Sequence, residues 1–143
     1  MVPNYHRQCN CTVMRMTRVL LVEDSIDVLD LLQIELELMG YAVDAVADAH
    51  AALAAAQRNR PDVIVSDLGL PGMDGLDFIK HIRKTTGLAS IPAIALTGAS
   101  MDKDIQQALA FGFTAHLTKP IEVSELGRRI EQLTALRLQR RAG

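Results

Sequence analysis

The chain predicts an α/β fold in which a parallel sheet of five strands carries helices on both faces. Three observations lead there. Short continuous apolar runs recur, as expected of strands covered on both sides. The runs alternate with segments of helical spacing or propensity. Four of the runs end in a chemically capable group: Glu23-Asp24, Asp67, Thr97 and Lys119-Pro120. In an open α/β sheet the C-terminal strand edges converge, and ligands bind there.

The elements follow in order. Val19-Leu20-Leu21-Val22 reads as the first strand. A helix is expected from about Ser25 to Met39, with Val28, Leu32, Leu36 and Met39 at helical spacing and Gly40 as its C-terminal cap. Tyr41 to Val46 is a weaker second strand, and the Ala-rich stretch from Ala49 to Arg58 is helical by propensity. Pro61 closes that connection before the third strand, Val63-Ile64-Val65. The turn-rich segment from Gly69 to Gly75 opens a helix reaching about Lys84. Ile91 to Leu96 is the fourth strand, Met101 to Ala110 a helix capped by Gly112, and Phe113 to Leu117 the fifth strand. The last helix runs from about Val123 to Leu138, with Leu126, Ile130, Leu133 and Arg137 on one stripe. Residues 1–17 show no periodicity and read as a disordered leader, with Met14 and Met16 as alternative starts. The folded domain is expected over residues 18–139, with no linker to a second domain and no output domain.

Composition narrows the function. A chain of 143 residues suits one domain, and with 3% aromatic residues and no Trp its core must be aliphatic. The net charge of -2 gives no basic excess for nucleic acid. No apolar stretch approaches the roughly 20 residues of a membrane span, and no secretory signal is evident. A cytoplasmic location is therefore expected. Cys9, Cys11 and His6 cluster near the start, but no second Cys/His pair completes a zinc site. They read as reduced thiols on an arm.

Taken together, Val19-Leu20-Leu21-Val22-Glu23-Asp24, the run Ser66-Asp67-Leu68-Gly69-Leu70-Pro71-Gly72-Met73-Asp74-Gly75, Ala95-Leu96-Thr97-Gly98 and Thr118-Lys119-Pro120 resemble the receiver domain of bacterial response regulators. The resemblance covers about Thr17 to Leu138, and its motifs are specific because they recur in order, each after a strand. It implies a flavodoxin-like (βα)5 doubly wound fold with strand order 2-1-3-4-5. It implies phosphoryl transfer from a phosphohistidine onto Asp67, positioning and charge neutralisation being the main demands of such chemistry. Mg2+, with Mn2+ able to substitute, would be held by Asp24, Asp67 and the backbone carbonyl of Gly69, with Glu23 acting through water. Lys119 would pair with Asp67 and later with a phosphoryl oxygen, and the Lys119-Pro120 bond is expected to be cis. Thr97 and Gly98 would bind the phosphoryl group. Thr97 would also switch, vacating space for the ring at His116, where most relatives carry Tyr or Phe. Gly69 and Ala99 flank the pocket where relatives tune dephosphorylation.

The partners implied are a histidine kinase or histidine phosphotransfer protein and a downstream protein target. A docking or homodimer surface is expected on the fourth helix, fifth strand and last helix, made basic by Arg128, Arg129 and Arg137. The domain is expected to signal rather than act as an enzyme, either as a stand-alone regulator or as a receiver segment of a hybrid kinase. A non-catalytic scaffold of the same fold is the other alternative. Haloacid-dehalogenase-type phosphatases also phosphorylate an Asp after a strand, but they require a second Asp where this chain has Gly69. A flavodoxin is excluded because Glu23-Asp24 would repel its phosphate.

Overall fold

The computed structural model describes residues 16–98 and 102–142, with side chains described in the second stretch from 105 to 135. The expected leader up to residue 15, with His6, Cys9, Cys11 and Met14, lies outside it, as do Ala99, Met101 and the side chain of Arg137. Strands β1 (Arg18–Val22), β2 (Ala42–Val46), β3 (Val63–Asp67), β4 (Ala93–Thr97) and β5 (Ala115–Thr118) alternate with helices α1 (Ile26–Leu38), α2 (Ala49–Arg58), α3 (Gly75–Lys84), α4 (Asp102–Phe111) and α5 (Val123–Ala142). The sheet order is β2-β1-β3-β4-β5 and every pairing is parallel. The expected topology is the observed one.

Strand side chains alternate between faces, and the core divides accordingly. Leu20, Val22, Ile64, Ala93 and Ala95 pack with α2 and α3. Val19, Leu21, Val63, Val65, Ile94, Leu96 and Leu117 pack with α1 and α5. In the first layer the buried side chains of α2 are all alanines, Ala49, Ala52, Ala55 and Ala56, and α3 supplies the bulk with Phe78, Ile79 and Ile82. The second is filled by Leu29, Leu32 and Leu36 from α1 and Leu126 and Ile130 from α5.

Two details depart from expectation. The buried edge of α1 is Leu29, Leu32 and Leu36, while Val28 is 37% and Met39 is 44% exposed. Neighbouring helical residues lie about 100° apart, so the stripe facing the sheet passes through Leu29 and turns Val28 outward. Strands β4 and β5 also start two residues later than their apolar runs. Ile91 is buried before the strand begins, and Pro92 has no N–H, offering its carbonyl to Ile64 instead.

Glycines fix two junctions. Gly112 ends α4 at φ 131°, a conformation that side chains disfavour. Its carbonyl accepts two hydrogen bonds from the Arg83 guanidinium, which also donates to Ala89 and Ile91. Burial lowers the Arg83 pKa. Gly75 opens α3 with its N–H donating to the Leu68 carbonyl at 2.9 Å. A Cβ there would lie 2.7 Å from Leu68 Cα and closer still to the carbonyl oxygen of Asp67. The start of α3 thus rests directly on the peptide that carries Asp67. Gly75→Ala is expected to lower stability by about 1–3 kcal/mol, read by urea denaturation; wild-type stability would show that this contact does not matter.

Candidate functional site

Alternation along the strands carries Glu23, Asp67 and Lys119 to the α1/α5 side of the sheet. They share parity with Val19 and Leu21, with Val63 and Val65, and with Leu117. The ladder continues past the strand ends, with Glu23 N–H donating to Val46 and Lys119 N–H to Thr97. Three carboxylates therefore meet. Glu23, Asp24 and Asp67 each offer one oxygen within 4.8 Å of the others. Asp24 is exposed, whereas Glu23 is 1% and Asp67 7% exposed.

Lys119 answers that charge. Its Nζ lies 3.0 Å from Asp67 Oδ2 and 3.1 Å from Glu23 Oε1. The first contact is an aligned hydrogen bond. The second is an ion pair without hydrogen-bond alignment, and it leaves the buried Glu23 Oε1 without a hydrogen-bond partner among the described residues. Burial pulls the ammonium pKa down, but the hydrogen bond to Asp67 and the closeness of Glu23 outweigh it, and the Lys119 pKa is raised. The Lys119-Pro120 bond is cis, as expected.

Further polar groups surround this pair. Ser25 is the N-cap residue of α1 but makes no side-chain cap bond; its N–H donates to Glu23 Oε2 at 3.0 Å. Gly69 N–H donates to Asp67 Oδ1 at 3.3 Å. The buried Thr97 hydroxyl donates to the Leu117 carbonyl at 3.4 Å, near the limit for such a bond. A cleft of about 360 Å³ opens onto Asp67, lined by Leu68, Gly69, Leu76, Thr97, Gly98, Gln107 and Lys119. His116 is half-buried on β5, paired in register with Ala95. Sequence reading missed two features. Glu23 shares the Lys119 ammonium, and Gln107 reaches the cleft from α4 with no motif to mark it.

Because the folded-state pKa of Lys119 is raised above its ordinary 10.5, its contribution to stability is complete below that value. It fades only as the pH climbs through the higher folded-state value. Lys119→Met is expected to cost about 1–3 kcal/mol at pH 7, with the gap to wild type holding to about pH 10 and shrinking above it. Urea denaturation of both proteins from pH 7 to 11 checks this; a gap that narrows between pH 7 and 9 contradicts it.

Comparison with known proteins agrees with this geometry. The family model described as the response regulator receiver domain matches residues 19–131. The chain is 40% identical over 114 residues to an uncharacterized 14.6 kDa protein of Leptolyngbya boryana, covering 80% of this chain and 87% of that one. It is 35% identical over 118 residues to the DNA-binding dual master transcriptional regulator RpaA of Synechocystis, covering 82% of this chain and 49% of that one. The chain spans about half the length of such transcriptional regulators. Among solved structures, the chemotaxis response regulator CheY4 of Vibrio cholerae superposes with a TM-score of 0.79 at 34% identity, covering 83% of this chain and 99% of that one. The receiver domain of the sensor histidine kinase PA1611 of Pseudomonas aeruginosa, solved with magnesium coordinated in its active site cleft, gives 0.79 at 32% identity, covering 85% and 99%. The chain belongs to the response regulator receiver domain family of two-component signalling.

Proposed function

We propose that this chain is switched by phosphorylation, taking a phosphoryl group onto Asp67 from the phosphohistidine of a histidine kinase or histidine phosphotransfer protein. The observation that carries this is the setting of Asp67: a carboxylate at a cleft mouth, 3.0 Å from an ammonium and clustered with two further acids. An Asp67 oxygen attacks phosphorus, the P–N bond breaks, and the imidazole departs with the electron pair. Lys119 stays beside the acquired charge, and the folded domain is residues 18–139.

The acidic cluster fits Mg2+, a hard cation that takes oxygen ligands. Asp24, Asp67 and the Gly69 carbonyl would hold it, with Glu23 acting through water. The buried Glu23 Oε1, lacking an aligned donor, is an acceptor suited to such a water. When bound, the ion supplies positive charge to the oxygens of the transferring group. The magnesium-bearing PA1611 receiver supports this assignment.

Partners would meet two surfaces. Helix α1 starts beside the site and exposes Ile26, Leu31, Ile34 and Leu38, which are 55–83% accessible. An apolar helix face next to an acceptor suits a helical phosphodonor. On the α4-β5-α5 face, where a downstream target or second copy would dock, Glu125 pairs with both Arg128 and Arg129 and reduces the expected positive charge. On phosphorylation Thr97 would exchange its long bond to Leu117 for one to the phosphoryl group, Gly98 would contribute its N–H, and His116 would turn into the vacated space. The likeness to the PA1611 receiver supports a second reading, a receiver segment within a hybrid kinase, which the size of the protein in cell extracts decides.

Incubation with acetyl phosphate and Mg2+ should add the mass of one phosphoryl group to the wild type and none to Asp67→Asn or to protein held in EDTA. Equal mass gain in Asp67→Asn would overturn the assignment. His116→Ala should keep phosphoryl uptake while changing affinity for the downstream partner at least about threefold, the worth of one modest contact; unchanged affinity on calorimetry would remove His116 from the switch.

A further inference from the structure

We propose that Gln107 positions the water that hydrolyses the phosphoryl group from Asp67, an inference that rests on the assignment of Asp67 as acceptor. The walls of the cleft over Asp67 leave few groups free for this task. Lys119 is held by Asp67 and Glu23. The Thr97 hydroxyl points to Leu117 and, on phosphorylation, would be taken by the phosphoryl oxygens. Leu68 and Leu76 are apolar. Gly69 and Gly98 line the cleft and present no side chain. Among the described lining residues Gln107 is the one with an uncommitted side chain that both donates and accepts. No hydrogen bond to a described residue engages its carboxamide.

The chemistry needs such a group. Water attacks phosphorus, the bond from phosphorus to the Asp67 oxygen breaks, and the carboxylate leaves with the electron pair. The proton of the attacking water passes to the departing phosphate or to solvent. Acyl phosphates carry their own good leaving group, so the main help a side chain can give is orientation of the nucleophile. The Gln107 carbonyl oxygen would accept a hydrogen bond from that water. Exposure of Gln107 on α4 leaves the carboxamide free to turn into the cleft.

The test is the decay of phosphorylated protein, prepared with acetyl phosphate and Mg2+ and freed of donor, in wild type, Gln107→Leu and Gln107→Glu. Leu keeps comparable bulk and removes the acceptor; Glu keeps both the length and an acceptor oxygen. Loss of one water hydrogen bond should slow decay about three- to tenfold in Gln107→Leu. Gln107→Glu should stay within about twofold of wild type, and beryllofluoride, which mimics the bound group without hydrolysing, should bind Gln107→Leu and wild type equally. Unchanged or faster decay in Gln107→Leu overturns the proposal. So does equal slowing in both variants, which would show that the acceptor oxygen is not what speeds decay, and so does weakened beryllofluoride binding, which would make Gln107 a ligand of the phosphoryl group. A wild type that takes up no phosphate overturns the Asp67 assignment and this inference with it, whereas normal uptake with unaltered decay overturns this inference alone.

Discussion

The arrangement depends on one charge contact: the Lys119 ammonium held between Asp67 and Glu23. Glu23 is almost wholly buried, and an ionised carboxylate out of water is costly unless a counter-charge attends it. Asp67 and Asp24 beside it raise that cost by repulsion. Lys119 offsets it from the end of β5, although β4 separates β5 from β3 in the sheet. Only a long, flexible cation can reach across a strand, which suits the four-carbon stem of lysine better than a shorter side chain. The contact ties together the ends of three strands, β1, β3 and β5.

The fold makes this contact geometrically cheap. Strand parity sets Glu23, Asp67 and Lys119 on one side of the sheet, as continuations of the apolar rows packed by α1 and α5. On the other side the alanines of α2 and the glycine at the start of α3 allow close approach, so the Asp67 peptide is fixed from below. The backbone at Asp67 is thus closely packed, while the residue lines an open cleft. Thr97 lies on the strand that the Lys119 stem crosses, so a change of charge at Asp67 falls within reach of a hydroxyl that is only weakly committed.

Much of this was legible from residues alone. Apolar runs as short as Val19 to Val22 admit a strand buried on both faces and little else, and the polar group after each run marked the sheet edge. The strand order was legible through resemblance, since periodicity says nothing about which strands pair. The α1 stripe was misplaced because Leu29 and Val28 are both apolar, and sequence spacing cannot say which of two neighbours faces the sheet. Pro92 shortened β4 through its missing N–H, a local effect visible only once its carbonyl is seen pairing with Ile64. Gln107 was silent for a different reason. It is an exposed amide on a helix, distant in sequence from every motif, and only the packing of α4 beside β4 brings it to the cleft.

The charge at the site also explains why one ammonium is not enough. Three carboxylates against Lys119 leave two negative charges at the strand edge. A divalent cation would cancel them, which makes the cluster a better host for Mg2+ than for a monovalent ion. Converting the Asp67 carboxylate to an acyl phosphate replaces a single negative charge with a group carrying nearly two, so the excess returns even with the cation bound. That renewed excess needs neutral hydrogen-bond donors, since a further cation is absent among the described residues lining the cleft. On the proposed phosphorylation the Thr97 hydroxyl and the Gly98 N–H would supply them, and drawing Thr97 from Leu117 would turn a local charge change into a rearrangement of the β4 and β5 edge.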